Sequence, residues 1–188
     1  MKLAAVLLAA GGSTRLGRPK QLLEFQGETL VRRAAHCALE AGFAPLHVVL
    51  GARAEEVSGA LEGLDLNILR NEAWEEGLAS SIRTGVAALP VDAAGALLLV
   101  CDQPALHAGL LRSLGELFRA DPSRPSACAY GGSAGIPAIL PRDHFPALLA
   151  LKGDRGAKAL LGDAQLLPFP GGEADVDTPA DAEKLLRR

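Results

Sequence analysis

In the segment Leu8–Leu23, LAAGGSTRLGRPKQLL, an apolar run gives way to a glycine-rich polar turn, and this change decides the fold. An apolar run over residues 3–10 stops at two glycines, and a hydroxyl pair, an arginine, a third glycine and a Pro-Lys pair follow. Continuous apolar runs are typical of strands that a parallel sheet buries on both faces. A phosphate, a dinucleotide or no ligand at all is compatible with a glycine-rich turn after such a strand, so the spacing of its residues has to decide.

The rest of the chain predicts buried strands that alternate with amphipathic helices. Apolar runs predict strands buried on both faces at 3–9, 46–51, 66–70 and 95–101, and helical spacing predicts helices at 28–42, 54–63, 78–89 and 106–120. Later segments predict strands at 126–132, 136–140 and 165–168, helices at 142–150 and 156–161, and a closing helix from Pro179. This order predicts one doubly wound α/β domain over residues 1–188.

Composition and charge exclude several classes of function. Of the 188 residues 49% are apolar and 4% aromatic, so Leu, Ala and Val must fill a substantial core. The formal net charge is −3 and no basic run is longer than Arg187-Arg188. This argues against nucleic-acid binding, because affinity for a phosphate backbone needs clustered Lys and Arg. No stretch of roughly 18 apolar residues is present, so we expect no membrane span.

The N-terminus and the cysteines predict a cytoplasmic protein. Lys2 and the apolar run after it are similar to the start of a signal peptide, but Gly-Gly-Ser-Thr-Arg follows rather than a small-residue cleavage site. Cys37, Cys101 and Cys128 are odd in number and widely spaced. That spacing suits reduced core cysteines better than a disulfide framework or a zinc site.

Two common phosphate-binding patterns fail at the glycine-rich turn. The dinucleotide fingerprint G-x-G-x-x-G does not fit the spacing of Gly11, Gly12 and Gly17. A P-loop requires G-x-x-x-x-G-K-[ST], but Arg18-Pro19-Lys20 follows Gly17, so the lysine is displaced and no hydroxyl is placed to reach a metal. A third pattern, A-A-G-x-S-x-R-x-G-x-x-K, matches residues 9–20 at every specified position.

The third pattern has a direct physical meaning. Glycines allow the backbone to approach a base, a ribose and a triphosphate, and exposed N–H groups after the strand form an anion-binding concavity. Arg15 and Lys20 would neutralise phosphate charge, whereas two solvated cations on a plain connection are the alternative. The candidate nucleotide-binding residues of this turn are Ala9, Ala10, Gly11, Gly12 and Ser13.

The pattern resembles that of the MobA-like nucleotidyltransferases, most closely the branch that includes molybdenum cofactor cytidylyltransferase. The resemblance covers nearly the whole chain in the family's order. Its further segments are NEAWEEGLASSI (71–82), LLLVCDQPAL (97–106), GIPAIL (135–140), HFPALLALKGDRGAKALL (144–161) and DVDTPADAEKL (175–185). It implies a three-layer, Rossmann-like nucleotidyltransferase fold with a mostly parallel mixed sheet.

The resemblance also implies a Mg²⁺ site built from carboxylates. Asp102 follows the strand 95–101 and matches the family's first metal ligand, at the edge where open α/β sheets bind ligands. Asp177 is the candidate second ligand, and Asp175 ranks lower because its side chain would lie on the other face of a strand. The alternative for Asp102 and Asp177 is helix N-capping, ahead of Leu106 and Pro179 respectively.

Other segments of the resemblance supply candidates for substrate contacts. Asn71, Gly77 and Ser81 are candidates for the base or ribose, and Trp74 is either a lid over the nucleotide or a packed aromatic side chain. The Ala9-Ala10 pair and the S-S-[IL] segment favour CTP over GTP by resemblance. The acceptor-side candidates are Gln103, Pro104, Lys152, Asp154 and Arg155, and ordinary surface charge is the alternative for the last three.

The resemblance implies a Mg²⁺-dependent cytidylyltransferase that transfers CMP from CTP to molybdopterin or its molybdenum-loaded form. An oxyanion of the acceptor would attack the α-phosphorus, the metal and Arg15 would stabilise the added charge, and pyrophosphate would leave towards Lys20. One alternative is another phosphorylated acceptor, such as a sugar or alcohol phosphate. The other is a non-catalytic protein that delivers cofactor, with a molybdoenzyme or chaperone as its partner.

Overall fold

A computed structural model describes residues 1–186, and its centre is a seven-stranded sheet. The Arg187-Arg188 pair lies outside the described residues. The strands are β1 Leu3–Leu8, β2 Glu24–Phe25, β3 Glu28–Thr29, β4 Leu46–Leu50, β5 Asn67–Arg70, β6 Gly95–Val100, β7 Ser126–Tyr130, β8 Ser133–Pro141 and β9 Gln165–Pro168. Across the sheet the order is β5-β4-β1-β6-β8-β7-β9, and β2 and β3 form a separate hairpin. Within the seven-stranded sheet of the described residues, only β8 runs antiparallel to its neighbours, β6 and β7.

Helices cover both faces of the sheet. They are α1 Leu30–Glu40, α2 Ala54–Gly59, α3 Leu78–Ala87, α4 Ala108–Ala120, α5 Phe145–Leu149 and α6 Pro179–Leu186. Apolar side chains of α1, α2 and α4 share one buried cluster with Leu3, Ala5 and Leu7 of β1. Those of α3 and α5 share a second cluster with Val6 and Leu8 on the opposite face. The predicted three-layer α/β fold with a mostly parallel mixed sheet is therefore confirmed.

The central strands form where the sequence has continuous apolar runs. All six residues of β1 are buried, and β4 is buried throughout. Helices on both sides remove the apolar surface of such strands from water. The burial of each Leu or Val side chain stabilises the folded protein by about 2 kcal/mol. Their carboxyl ends lie at one edge of the sheet, where the loops after β1 and β6 begin.

Some predicted elements differ from the structure. The strand at 66–70 was expected to be buried on both faces, but β5 is an edge strand and Ile68 is 45% exposed. The helix expected at 156–161 is a 3₁₀ turn, Ala157–Leu160, and the one at 142–150 divides into a 3₁₀ turn, Arg142–His144, and α5. Among the described residues, no helix has the length and apolar character needed to cross a membrane.

Candidate active site

A buried glutamine side chain holds the glycine-rich turn after β1 by hydrogen bonds to its backbone. The 3₁₀ turn Lys20–Leu22 places Gln21 so that its Nε2 donates to the carbonyl oxygens of Ala9 and Gly11, at 2.9 Å each. The Ser13 hydroxyl donates to Gln21 Oε1 at 3.3 Å and accepts from the Lys20 N–H at 3.0 Å. The turn therefore has a fixed shape in which Lys20 is tied to Ser13.

Four of the predicted charged residues converge at the carboxyl edge of the sheet. Lys20 Nζ donates to Asp102 Oδ2 and, at 2.8 Å, to Asp177 Oδ1. The Arg15 guanidinium donates to Asp177 Oδ2 at 2.9 Å. Residues that are up to 162 positions apart in sequence thus form one cluster of two cations and two carboxylates, which we call the charge cluster.

The C-terminal segment reaches this edge through two kinds of contact. The Val176 N–H donates to the carbonyl of Asp102 at 3.1 Å, which joins the two carboxylate-bearing segments directly. Apolar side chains of α6 pack against the segment that follows the turn, in a cluster of Leu16, Leu23, Leu30, Val176, Ala182 and Leu185. Asp177 is therefore positioned by packing as well as by its ion pairs.

Neither carboxylate of the cluster caps a helix. The N-cap of α4 is His107, whose Nδ1 accepts from the Leu110 N–H at 3.1 Å. At α6 the Thr178 hydroxyl accepts from the Asp181 N–H, and Asp181 Oδ2 accepts in return from the Thr178 N–H at 3.0 Å. This reciprocal capping leaves the side chain of Asp177 free to face the two cations.

Neighbouring charges shift the pKa values of the cluster. Burial lowers the pKa of Lys20, but the charge of Asp102 and the hydrogen bonds to both carboxylates raise it by more. The net shift of the Lys20 pKa is upwards. The Lys20 hydrogen bond lowers the pKa of Asp177. Desolvation and the charges of Asp102 and Asp177 raise the pKa of Asp175 to about 6. Lys20 and Asp177 are therefore both charged at neutral pH.

The carboxylates fit a partial metal site of the kind that substrate completes. Asp102 Oδ1 is buried and has no hydrogen-bond partner within the described chain. No group of three or more His, Cys, Asp or Glu side chains in residues 1–186 could hold a metal by itself. Mg²⁺ in nucleotide sites is commonly bound by one or two carboxylates, with phosphates and water as the other ligands. The donor set of Asp102 and Asp177 matches that pattern.

A cleft of about 450 Å³ opens beside the charge cluster. Its lining includes the predicted residues Ala9, Ala10, Gly11, Gly12, Lys20, Gly77, Ser81, Asp102 and Asp154, together with Thr14, Gln21, Trp74 and Glu75. Trp74 packs closely over the turn, since a Cβ on Gly12 would lie 3.2 Å from its ring. Trp74 therefore both packs against the turn and forms one wall of the cleft.

Other predicted site residues do not line this cleft. The Asn71 amide donates to the hydroxyls of Ser80 and Ser81, and its oxygen accepts from the Ala73 N–H, so it shapes the segment rather than facing a base. Gln103 Nε2 donates to the carbonyl of Gly172 at 2.8 Å, which ties the loop after β6 to the C-terminal segment. Ser13 is engaged inside the turn, Pro104 is buried, and Lys152 and Arg155 are exposed outside the cleft.

Comparison with known proteins decides the family. The family model of the MobA-like NTP transferase domain matches residues 5–168. This protein belongs to the MobA-like NTP transferase family. The MobA-like chain is 37% identical to nicotine blue oxidoreductase of Paenarthrobacter nicotinovorans over 83% of its own length and 79% of that protein. It is 30% identical to the purine catabolism protein PucB of Bacillus subtilis, over 98% and 96% of the two chains.

Solved structures agree with the family assignment. This MobA-like chain superposes on Rv0371c of Mycobacterium tuberculosis with a TM-score of 0.86 and 30% identity, covering 100% of this chain and 99% of that one. A manganese complex of Rv0371c matches with a TM-score of 0.78. A nucleotidyl transferase of Methanothermobacter thermautotroptrophicus matches with a TM-score of 0.82 and 28% identity, covering 99% of this chain and 98% of that one. The chain is thus a nucleotidyltransferase of the MobA-like family.

Proposed function

We propose that this protein transfers CMP from CTP to a phosphorylated acceptor, molybdopterin or its molybdenum-loaded form, with Mg²⁺ and with release of pyrophosphate. The observation that carries the proposal is the charge cluster, of which Lys20 and Asp102 line the cleft. Two cations suited to a triphosphate and two carboxylates suited to a divalent cation converge there from three distant segments. Nucleotidyl transfer joins two polyanions, so it requires such charges more than a nucleophilic side chain.

Each residue of the cluster has a distinct role in the proposal. Asp102 and Asp177 would hold Mg²⁺, which supplies Lewis-acid neutralisation of the phosphate oxygens. Arg15 and Lys20 would leave these carboxylates for the triphosphate. An anionic phosphate oxygen of the acceptor then forms a bond to the α-phosphorus, while the bond from that phosphorus to the pyrophosphate oxygen breaks. Arg15 stabilises the added charge and Lys20 the leaving pyrophosphate, and no general base is required because the attacking oxygen carries no proton.

The nucleotide end of the cleft is assigned to the turn and to the segment before α3. Glycines 11 and 12 allow close approach of a base, and Trp74 offers an aromatic face beside them. Gly77 and Ser81 also line the cleft. The preference for CTP over GTP rests on the resemblance of Ala9-Ala10 and of the serine pair at 80–81 to the cytidylyl branch.

An acceptor with a ring system is favoured by a second cavity. This cavity of about 200 Å³ shares Leu8 and Leu78 with the cleft, and its lining is mainly apolar. Three polar groups, on Tyr130, Ser133 and Lys158, also border it. A flat heterocycle with a few polar substituents, such as a pterin, suits walls of this kind.

The proposal places the protein in the cytoplasm. All three cysteines, Cys37, Cys101 and Cys128, are buried and unpaired in the described chain, as expected of a reducing compartment. A sugar or alcohol phosphate remains the alternative acceptor, and delivery of cofactor to a molybdoenzyme or chaperone remains the non-catalytic alternative.

One experiment separates these functions. Purified protein is incubated with Mg²⁺, each of the four ribonucleoside triphosphates and either molybdopterin or a panel of sugar and alcohol phosphates, and pyrophosphate release is followed. We expect release with CTP that depends on molybdopterin. Release with another phosphate supports the alternative acceptor, and binding of molybdopterin without release supports the delivery protein. Because one relative is named an oxidoreductase, a parallel arm follows oxidation of reduced nicotinamide, which we expect to be absent.

A further inference from the structure

We infer that Gln21 is the positioning residue that holds the backbone of the nucleotide-binding turn in its binding conformation. The inference rests on the proposed function for the cleft but concerns a residue outside the predicted site. Gln21 is 1% exposed, although it borders the cleft. A buried amide must form its hydrogen bonds inside the protein, so the hydrogen-bond partners of Gln21 indicate its role.

The partners of Gln21 all belong to one stretch of the chain. Its Nε2 donates to the carbonyls of Ala9 and Gly11, and its Oε1 accepts from the Ser13 hydroxyl. An amide NH₂ group has two hydrogens, and both are used by these two carbonyls. Gln21 therefore has no donor left for a substrate, and its influence on the nucleotide must act through the turn.

Peptide geometry explains how a held carbonyl determines the neighbouring N–H. In a planar trans peptide the carbonyl of one residue and the N–H of the next point in opposite directions. By holding the carbonyls of Ala9 and Gly11, Gln21 turns the N–H groups of Ala10 and Gly12 away from itself. Within residues 1–186 neither N–H donates to a protein acceptor. Both are therefore available to an anion or a base in the cleft, which Ala10 and Gly12 line.

Ser13 extends this control to the lysine of the charge cluster. Ser13 has a left-handed backbone conformation, with φ at +51°, which costs a non-glycine residue free energy and needs local support. Its hydroxyl accepts from the Lys20 N–H while it donates to Gln21. Gln21 thus supports the strained residue that links the turn to the backbone of Lys20.

The test compares two Gln21 variants with a matched glutamine elsewhere. Gln21→Leu removes all three hydrogen bonds at similar volume, and Gln21→Glu keeps an acceptor for Ser13 but loses both donors. Gln165→Leu is the control, because Gln165 Nε2 also donates to a backbone carbonyl and to a serine hydroxyl, those of Asp121 and Ser126. Trp74, the one tryptophan in the sequence, lines the cleft, so its fluorescence reports binding of each nucleoside triphosphate with Mg²⁺.

We expect both Gln21 variants to bind CTP about tenfold more weakly or worse. In Gln21→Leu we also expect faster hydrogen exchange at residues 16, 17 and 20, whose N–H groups are bonded to Ser13. Gln165→Leu should lower the melting temperature yet bind CTP as the wild type does. A folded Gln21→Leu with wild-type affinity and exchange overturns the inference, and so does an equal loss of affinity in Gln165→Leu. If the wild type binds no triphosphate, the proposed function fails. Exchange at residues 16, 17 and 20 then decides the role of Gln21 by itself.

Discussion

At the scale of single residues, the four side chains of the charge cluster bind one another in the free protein but must bind substrate and metal in the proposed reaction. Lys20 is held by Asp102 and Asp177, and Arg15 by Asp177. In the proposed reaction the two cations face a triphosphate and the two carboxylates face Mg²⁺. The ion pairs of the free protein must therefore be exchanged for contacts with substrate and metal, and each carboxylate has a separate, measurable effect.

Asp102→Ala should strongly reduce turnover without unfolding the protein. The variant removes a carboxylate whose buried Oδ1 has no partner in the described chain, so it removes the proposed metal ligand. We expect turnover to fall by about 10²-fold or more, measured as pyrophosphate release. Asp92→Ala is the control, since Asp92 is exposed and, within residues 1–186, its ion pair is with Lys2 alone. Turnover in Asp102→Ala close to that of the control would remove Asp102 from the metal site.

Asp177→Asn should raise the affinity for nucleotide in the absence of metal but lower turnover in its presence. Without a divalent ion, Asp177 competes with the triphosphate for Lys20 and Arg15, which it contacts at 2.8 and 2.9 Å. The variant should therefore bind CTP more tightly than the wild type in excess chelator, by about tenfold. With Mg²⁺ present its turnover should be strongly reduced.

The control for this prediction is Asp175→Asn. It removes the same charge two positions away, but Asp175 makes no ion pair with either cation in the described structure. A metal-free affinity that rises equally in both variants would indicate general electrostatics rather than competition. A metal-free affinity that falls in Asp177→Asn would show that Asp177 itself helps to bind the nucleotide.

At the scale of elements, the cleft depends on how the segment before α3 packs against the loop at 153–154. The Ala79 N–H donates to the carbonyl of Gly153 at 3.0 Å. Gly77 has φ at +111°, and a Cβ there would lie 2.3 Å from Asp154 Oδ1 and 2.8 Å from the Gly153 carbonyl. Only glycine fits this contact, because the backbone conformation and the available space exclude a side chain.

Gly77→Ala is accordingly expected to destabilise the protein by about 1–3 kcal/mol and to weaken nucleotide binding. Gly162→Ala is the matched control, since no atom lies within 4 Å of the added Cβ and its φ is outside the left-handed region. Denaturant unfolding and CTP titration of both variants provide the comparison. Equal free energies of unfolding for the two variants would contradict the packing argument.

The elements also show what a sequence pattern can predict. Strands β1, β4 and β6 were predicted because a strand that is buried on both faces has a continuous run of apolar residues. The same reasoning failed for β5, because an edge strand can carry apolar residues such as Ile68 that remain exposed. The hairpin of β2 and β3 was not predicted, since strands of two residues are too short to show a period.

At the scale of the whole molecule, the motifs predicted which charged residues meet, but not how buried polar residues are used. Arg15, Lys20, Asp102 and Asp177 follow from the motif order and from the common edge of the sheet. Asn71 and Gln103 stay candidates for substrate contact, but the motifs did not predict that Asn71 Nδ2 and Gln103 Nε2 donate to other parts of the chain. Gln21 was missed because two of its three partners are backbone carbonyls, which any residue type carries and no motif can reveal.

The central claim is that the α-phosphoryl group of CTP, with its nucleoside, passes to a phosphorylated acceptor. The most direct measurement is incubation of the wild-type protein with molybdopterin, Mg²⁺ and CTP labelled at the α-phosphate. We expect label in an acceptor–CMP adduct, with one pyrophosphate released per adduct, and about 10²-fold less of both with Asp102→Ala. Label that stays in CTP, or that appears only as free CMP whatever the acceptor, would contradict it.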